Sequence, residues 1–172
     1  GAHTLRYDLA GPHQIPLGAG GGACEEDFYG DADGFGFGAP EVDGADWRDA
    51  LGGAFFSDYR DARDFADRPE TDICDAPGDI KWVHDYTVPA GLTSANLHLY
   101  IAGFADIGGV DLRVDGDLLT TFNFPGQFQT THILDIDVPL AYIDGSTPFT
   151  LGPSGGDGYI LDYSRHDRCT DD

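Results

Sequence analysis

Val110-Asp-Leu-Arg-Val-Asp-Gly-Asp-Leu-Leu-Thr-Thr-Phe-Asn-Phe124 decides how this chain folds. Val110, Leu112 and Val114 alternate with Asp111 and Arg113, a period of two that gives a strand one apolar and one polar face. Asp115-Gly116 suits the two positive-φ positions of a two-residue hairpin turn, so Leu118 to Phe124 returns alongside. The same pattern extends outward from this hairpin. Lys81-Trp-Val-His-Asp-Tyr-Thr-Val88 reads as a strand, ended by Pro89-Ala-Gly91. Its alternation with His84 and Tyr86 assigns Trp82 to the core. Ala95, Leu97, Leu99 and Ile101 face one way, while Asn96, His98 and Tyr100 face the other. Thr131 to Val138 buries Leu134, Ile136 and Val138 and exposes Asp135 and Asp137. Pro148 to Leu151 and Gly158 to Tyr163 supply two more strands. Seven or eight strands at roughly 10-residue spacing predict an all-β, antiparallel, jelly-roll-like sandwich.

Upstream the pattern weakens. Leu5, Tyr7 and Leu9 lie on one face of a short strand, followed by Gly11-Pro12 and the glycine-rich run from Gly18 to Gly22. Residues 1–23 therefore read as an extended arm on a flexible joint, and 24–172 as the sandwich domain. Between residues 24 and 79 the sequence reads as loop.

The charge is lopsided, with 31 acidic against 9 basic residues and a formal net charge of −22. A basic nucleic-acid interface is excluded, as is docking on an anionic membrane. No stretch approaches the roughly 18 uninterrupted apolar residues of a membrane-spanning helix. The acids divide into 27 Asp and 4 Glu, and 14 of the Asp fall between Asp27 and Asp85. Asp favours turns and hard-cation sites over helices, so the bias points to calcium, with a solvated acidic surface as the alternative.

Three cysteines, Cys24, Cys74 and Cys169, show no zinc spacing. A loop-rich, Asp-rich chain of this kind reads as secreted, where disulfides persist. A Cys24–Cys74 bridge would tether the poorly patterned segment and stabilise by about 4 kcal/mol. Cys169 paired with either of them is the alternative, and one thiol is left over in every case.

The run Trp82-Val-His-Asp-Tyr-Thr-Val-Pro89, followed by Leu92-Thr-Ser-Ala-Asn-Leu-His-Leu99, the Val110 hairpin and Gly158-Tyr-Ile-Leu-Asp-Tyr-Ser164, resembles a known group of domains. These are the jelly-roll or galactose-binding-like β-sandwiches of exported bacterial proteins, including some with a PEP-type sorting signal. Asp27-Phe-Tyr-Gly-Asp-Ala-Asp-Gly-Phe-Gly-Phe-Gly38 is similar to their leader, and the likeness covers residues 24–165. The resemblance implies a sandwich, often calcium-bound, and no single function.

Asp27, Asp31 and Asp33 place three carboxylates on a Gly-rich stretch, suited to an ion that takes 6–8 oxygens. An EF-hand register fails there, with Tyr29 at the first ligand and Pro40 at the closing one. Asp106 and Asp111 flank Ile107-Gly-Gly-Val110, where a facing loop carrying Asp72 or Asp75 would share a cation. The six His are scattered without metal spacing, and neither a nucleophile elbow nor a phosphate loop is present. Catalysis is not expected. Trp47, between Asp46 and Arg48, is the candidate for stacking on a sugar.

These features predict a secreted, calcium-binding structural protein that self-assembles into a filament, tube or surface layer. The arm strand of Leu5, Tyr7 and Leu9 would complete a neighbouring copy's sheet, making a homopolymer. The alternative is a calcium-dependent carbohydrate-binding module.

Overall fold

Asp115 and Gly116 have φ of 48° and 85°, the paired left-handed conformation that a tight hairpin between twisted strands requires. They join β4 (Val110–Val114) to a strand running Asp117–Phe122 (β5), with Val114 opposite Asp117. The computed structural model describes residues 23–30, 32, 34–35, 40–45, 79–102, 109–123, 130–152 and 160–171. Besides the hairpin it contains β1 (Cys24–Gly30), β2 (Ile80–Asp85), β3 (Leu92–Ala102), β6 (Thr131–Asp137), β7 (Ser146–Leu151) and β8 (Ile160–Thr170). One sheet runs β1-β8-β3-β6 and the other β2-β7-β4-β5, every pair antiparallel. The architecture is an all-β antiparallel sandwich, as the alternation predicts.

The two inner faces interlock as that pattern dictates. Leu97, Leu99 and Ile101 of β3 meet Trp82 of β2, Leu112 and Val114 of β4 and Phe149 of β7 in one buried cluster. Trp82 lies in the core, its ring 5.7 Å from that of Phe149. Among the described residues, no helix is long and apolar enough to cross a membrane.

Three features depart from the sequence reading. Cys24–Gly30 is a strand rather than loop, paired along its whole length with β8. The last strand does not end near Tyr163 but continues to Thr170 through Ser164-Arg-His-Asp-Arg-Cys169. Cys24 bonds to Cys169 instead of Cys74. The β1–β8 register sets the two directly opposite, with Cα atoms 4.0 Å apart, so the bridge clasps a sheet edge. Cys74 lies outside the described residues.

A bulge in β8 resets which of its residues face the core. Tyr100 pairs with Tyr163 but Ile101 pairs with Leu161, leaving Asp162 as the extra residue. Leu161 thereby faces the core while Tyr163 faces the outside of the sheet. Buried Asp162 accepts the backbone N–H groups of Gly34 (3.3 Å) and Phe35 (2.5 Å). Those residues have φ of 69° and 60°, and the fully buried Phe35 packs on Tyr100 with ring centroids 4.9 Å apart.

Candidate functional site

The outer face of the β1-β8-β3-β6 sheet concentrates side chains able to recognise a polar ligand. Antiparallel register aligns Phe28, Arg165, His98 and Asp135 in one row across the four strands. The neighbouring row is Glu26, Asp167, Asn96 and Asp137. Strand alternation sends these residues outward because Leu97, Leu99 and Ala95 between them serve the core.

His98 fixes the first row. Its Nδ1 lies 2.7 Å from Asp135 Oδ1, and its Nε2 lies 3.1 Å from Glu41 Oε1. Burial works against a charged ring, but the two carboxylates outweigh it and hold the His98 pKa above its usual value. Partial burial of Glu41 opposes its charge, yet hydrogen bonds from His98 and Tyr163 bring its pKa below the ordinary carboxylate value. The Tyr163 hydroxyl donates to Glu41 at 2.5 Å, and burial beside that carboxylate pushes its own pKa up. Segment 40–45 is thus tied over the sheet, helped by the Val42 N–H donating to the Tyr100 hydroxyl at 3.2 Å.

Arg165 grips Asp167 with two N–H groups, at 2.9 Å from Nε and 3.0 Å from Nη2. The two-point contact fixes the guanidinium against its neighbour two residues along β8. Phe28 is 44% exposed, and its ring centroid lies 6.0 Å from that of Tyr163. Two strands away in the neighbouring row, the buried Asn96 Oδ1 has no hydrogen-bond partner among the described residues. An exposed aromatic ring beside a fixed guanidinium–carboxylate pair can both stack on a ligand face and pair with its hydroxyls.

A second polar group lies inside the sandwich. Ser164 Oγ accepts the Trp82 indole N–H at 3.0 Å and lies 2.8 Å from His84 Nε2. His84 Nδ1 is 2.7 Å from Asp27 Oδ2. With neutral imidazole, Ser164 donates to Nε2 and the Nδ1–H donates to Asp27. The residue types match a nucleophilic serine triad, but the surroundings do not. Ser164 is buried, and its oxygen is shared between the Trp82 indole and His84 rather than presented as a nucleophile. The network joins the two sheets.

The sequence-derived ligands separate accordingly. Asp27 lies within β1 rather than on a loop, and its carboxylate holds His84. Asp111 lies in β4 of the other sheet, accepting from Arg113 at 2.7 Å and Thr121 at 2.8 Å. Among the described residues neither stands in an oxygen cage of the kind calcium needs. Among the described residues no three His, Cys, Asp or Glu side chains converge as a metal site. Asp31, Asp33, Asp72, Asp75, Asp106, Trp47, Leu5, Tyr7 and Leu9 lie outside the described residues.

Sequence reasoning missed the outer rows because the residues of β1 read as loop. Without that strand, Phe28 and Glu26 have no register against Arg165 and Asp167. The available signal was the Glu26-x-Phe28 and Arg165-x-Asp167 spacing, two residues apart in each strand.

No protein-family model matches the chain, and no curated protein matches it. Solved structures match about half of it. The dimeric latent PorU of Porphyromonas gingivalis matches over 56% of this chain and 10% of its own, at 12% identity and a TM-score of 0.45. A family 35 carbohydrate binding module from an environmental isolate matches over 52% of this chain and 64% of its own, at 17% identity and a TM-score of 0.41. The carbohydrate-binding module CBM36, solved with calcium and xylotriose, matches over 50% and 70%, at 20% identity and a TM-score of 0.33. The chain thus spans less than two-thirds of the first two of these proteins.

Proposed function

We propose that this chain is a non-catalytic, secreted β-sandwich module that binds carbohydrate on the outer face of its β1-β8-β3-β6 sheet. The observation that carries the reading is Phe28, an exposed ring on the outer sheet face beside the fixed Arg165–Asp167 pair. Stacking on an apolar sugar face needs such a ring, and orientation of the hydroxyls needs polar groups whose rotamers are already locked. Carboxylates outnumber cations in the two rows, which favours neutral sugars over uronates.

Secretion is supported by the Cys24–Cys169 bridge. Calcium belongs to the proposal only through Asp31, Asp33, Asp72 and Asp106, since Asp27 and Asp111 are engaged elsewhere. Assembly through the arm would draw on residues 1–23, and nothing in the described sheets speaks for it. The test is calorimetric titration with a panel of neutral and acidic oligosaccharides. Saturable binding of a neutral sugar, weakened at least about tenfold by Phe28→Ala without loss of melting temperature, is expected. Equal affinity in wild type and variant would refute the site.

A further inference from the structure

Arg168 makes no ion pair of the kind the other described arginines make, although the β1–β8 register sets Glu25 opposite it. Arg113 holds Asp111 and Arg165 holds Asp167, whereas Arg168 has no ion-pair partner among the described residues. It is nevertheless 3% exposed, in a chain with 31 acids to choose from. Its guanidinium carbon lies 4.0 Å from the centroid of the Tyr86 ring, and Nη1 donates to the His166 carbonyl at 3.2 Å. Its Nε is buried with no hydrogen-bond partner among the described residues.

His166 stands two residues away on the same inward face of β8, 0% exposed, and both of its ring nitrogens lack a partner among the described residues. Tyr86 touches both groups, with its ring 5.2 Å from His166 in an edge-on contact. An unpaired buried cation beside an unsatisfied imidazole is costly to retain, and the cation–π contact with Tyr86 offsets only part of that cost. The two side chains instead offer donors for an anion. Arg168 supplies Nε–H, and neutral His166 supplies one ring N–H.

We propose that Arg168 and His166 form a binding site for a small carboxylate beside the Tyr86 ring that touches both. A two-oxygen anion accepts from both groups and neutralises the guanidinium. This site is separate from the outer sheet face, because Arg168 and His166 point into the sandwich with Ala95 and Leu97 while Phe28, Arg165 and Asp167 point out of it.

The test is an NMR titration of the intact chain with sodium acetate, against sodium chloride at matched ionic strength. A saturable shift of the His166 ring signals in acetate, absent in chloride, is expected, with melting temperature rising along the same isotherm. Arg168→Gln should abolish the saturable shift, and Arg168→Lys, which keeps the charge but loses the Nε–H, should weaken it at least about tenfold. An absent or linear shift in acetate, an equal shift in chloride, or wild-type titration in Arg168→Gln would overturn the proposal. If Arg168→Gln fails to fold, the wild-type acetate and chloride arms decide alone.

Discussion

His84 and His166 face each other between the two sheets with ring centroids 5.4 Å apart, yet they are opposite in hydrogen bonding. Asp27 and Ser164 engage both nitrogens of His84, while no described residue engages either nitrogen of His166. One imidazole joins the sheets. The other is held among Phe149, Tyr86 and His84 at an energetic cost.

His166→Leu should therefore leave stability unchanged or raise it by about 1–3 kcal/mol, since it removes buried polar atoms that make no bonds. Urea unfolding checks this. A loss of stability would show that the ring nitrogens are satisfied in solution.

The pH dependence of the wild type follows from the same ring. Burial, with His84 and Arg168 adding repulsion, lowers the His166 pKa from 6.5 to about 3. Between those values the unfolded chain holds the extra proton, so stability falls as pH drops below about 6.5 and levels off near 3. Unfolding free energies measured across this range should decline by a few kcal/mol more in wild type than in His166→Leu. Parallel curves would count against the buried neutral ring.

His98 should act with the opposite sign. Its pKa is raised despite burial, because Glu41 and Asp135 face its two nitrogens. Its contribution is fully present below the unfolded value of about 6.5 and is lost as pH rises through the folded value. His98→Gln should cost more stability at pH 6 than at pH 9. A pH-independent cost would mean that the ring is neutral throughout.

The disulfide joins residues 145 apart in sequence. In the chain-entropy model such a loop stabilises by about 5 kcal/mol, so reduction should lower the melting temperature markedly. Non-reducing peptide mapping should recover Cys24 joined to Cys169. Recovery of Cys24 joined to Cys74 would contradict the β1–β8 register.

How much of this was legible in the sequence depends on the local pattern. The strands from β2 to β7 could be read because Leu97, Leu112 and Phe149 alternate with polar neighbours and turns such as Asp115-Gly116 separate them. β1 and the second half of β8 could not, because their inward residues include Asp27, Ser164, His166 and Arg168, which look solvent-facing. Their burial depends on partners far away in sequence, such as His84 and Trp82, which one-dimensional alternation does not reveal. The same gap favoured the wrong cysteine pair and hid the outer rows of the candidate site.

The central claim, carbohydrate recognition on the outer sheet face, is tested most directly by mapping amide NMR shifts during titration with a neutral oligosaccharide. Shifts clustered at Glu26, Phe28, Asn96, Arg165 and Asp167, with the inward positions Leu97 and Leu112 unmoved, are the expected result. No saturable shift on that face with any sugar of a broad neutral panel, or shifts confined to the opposite sheet around Val83 and Thr150, would contradict it.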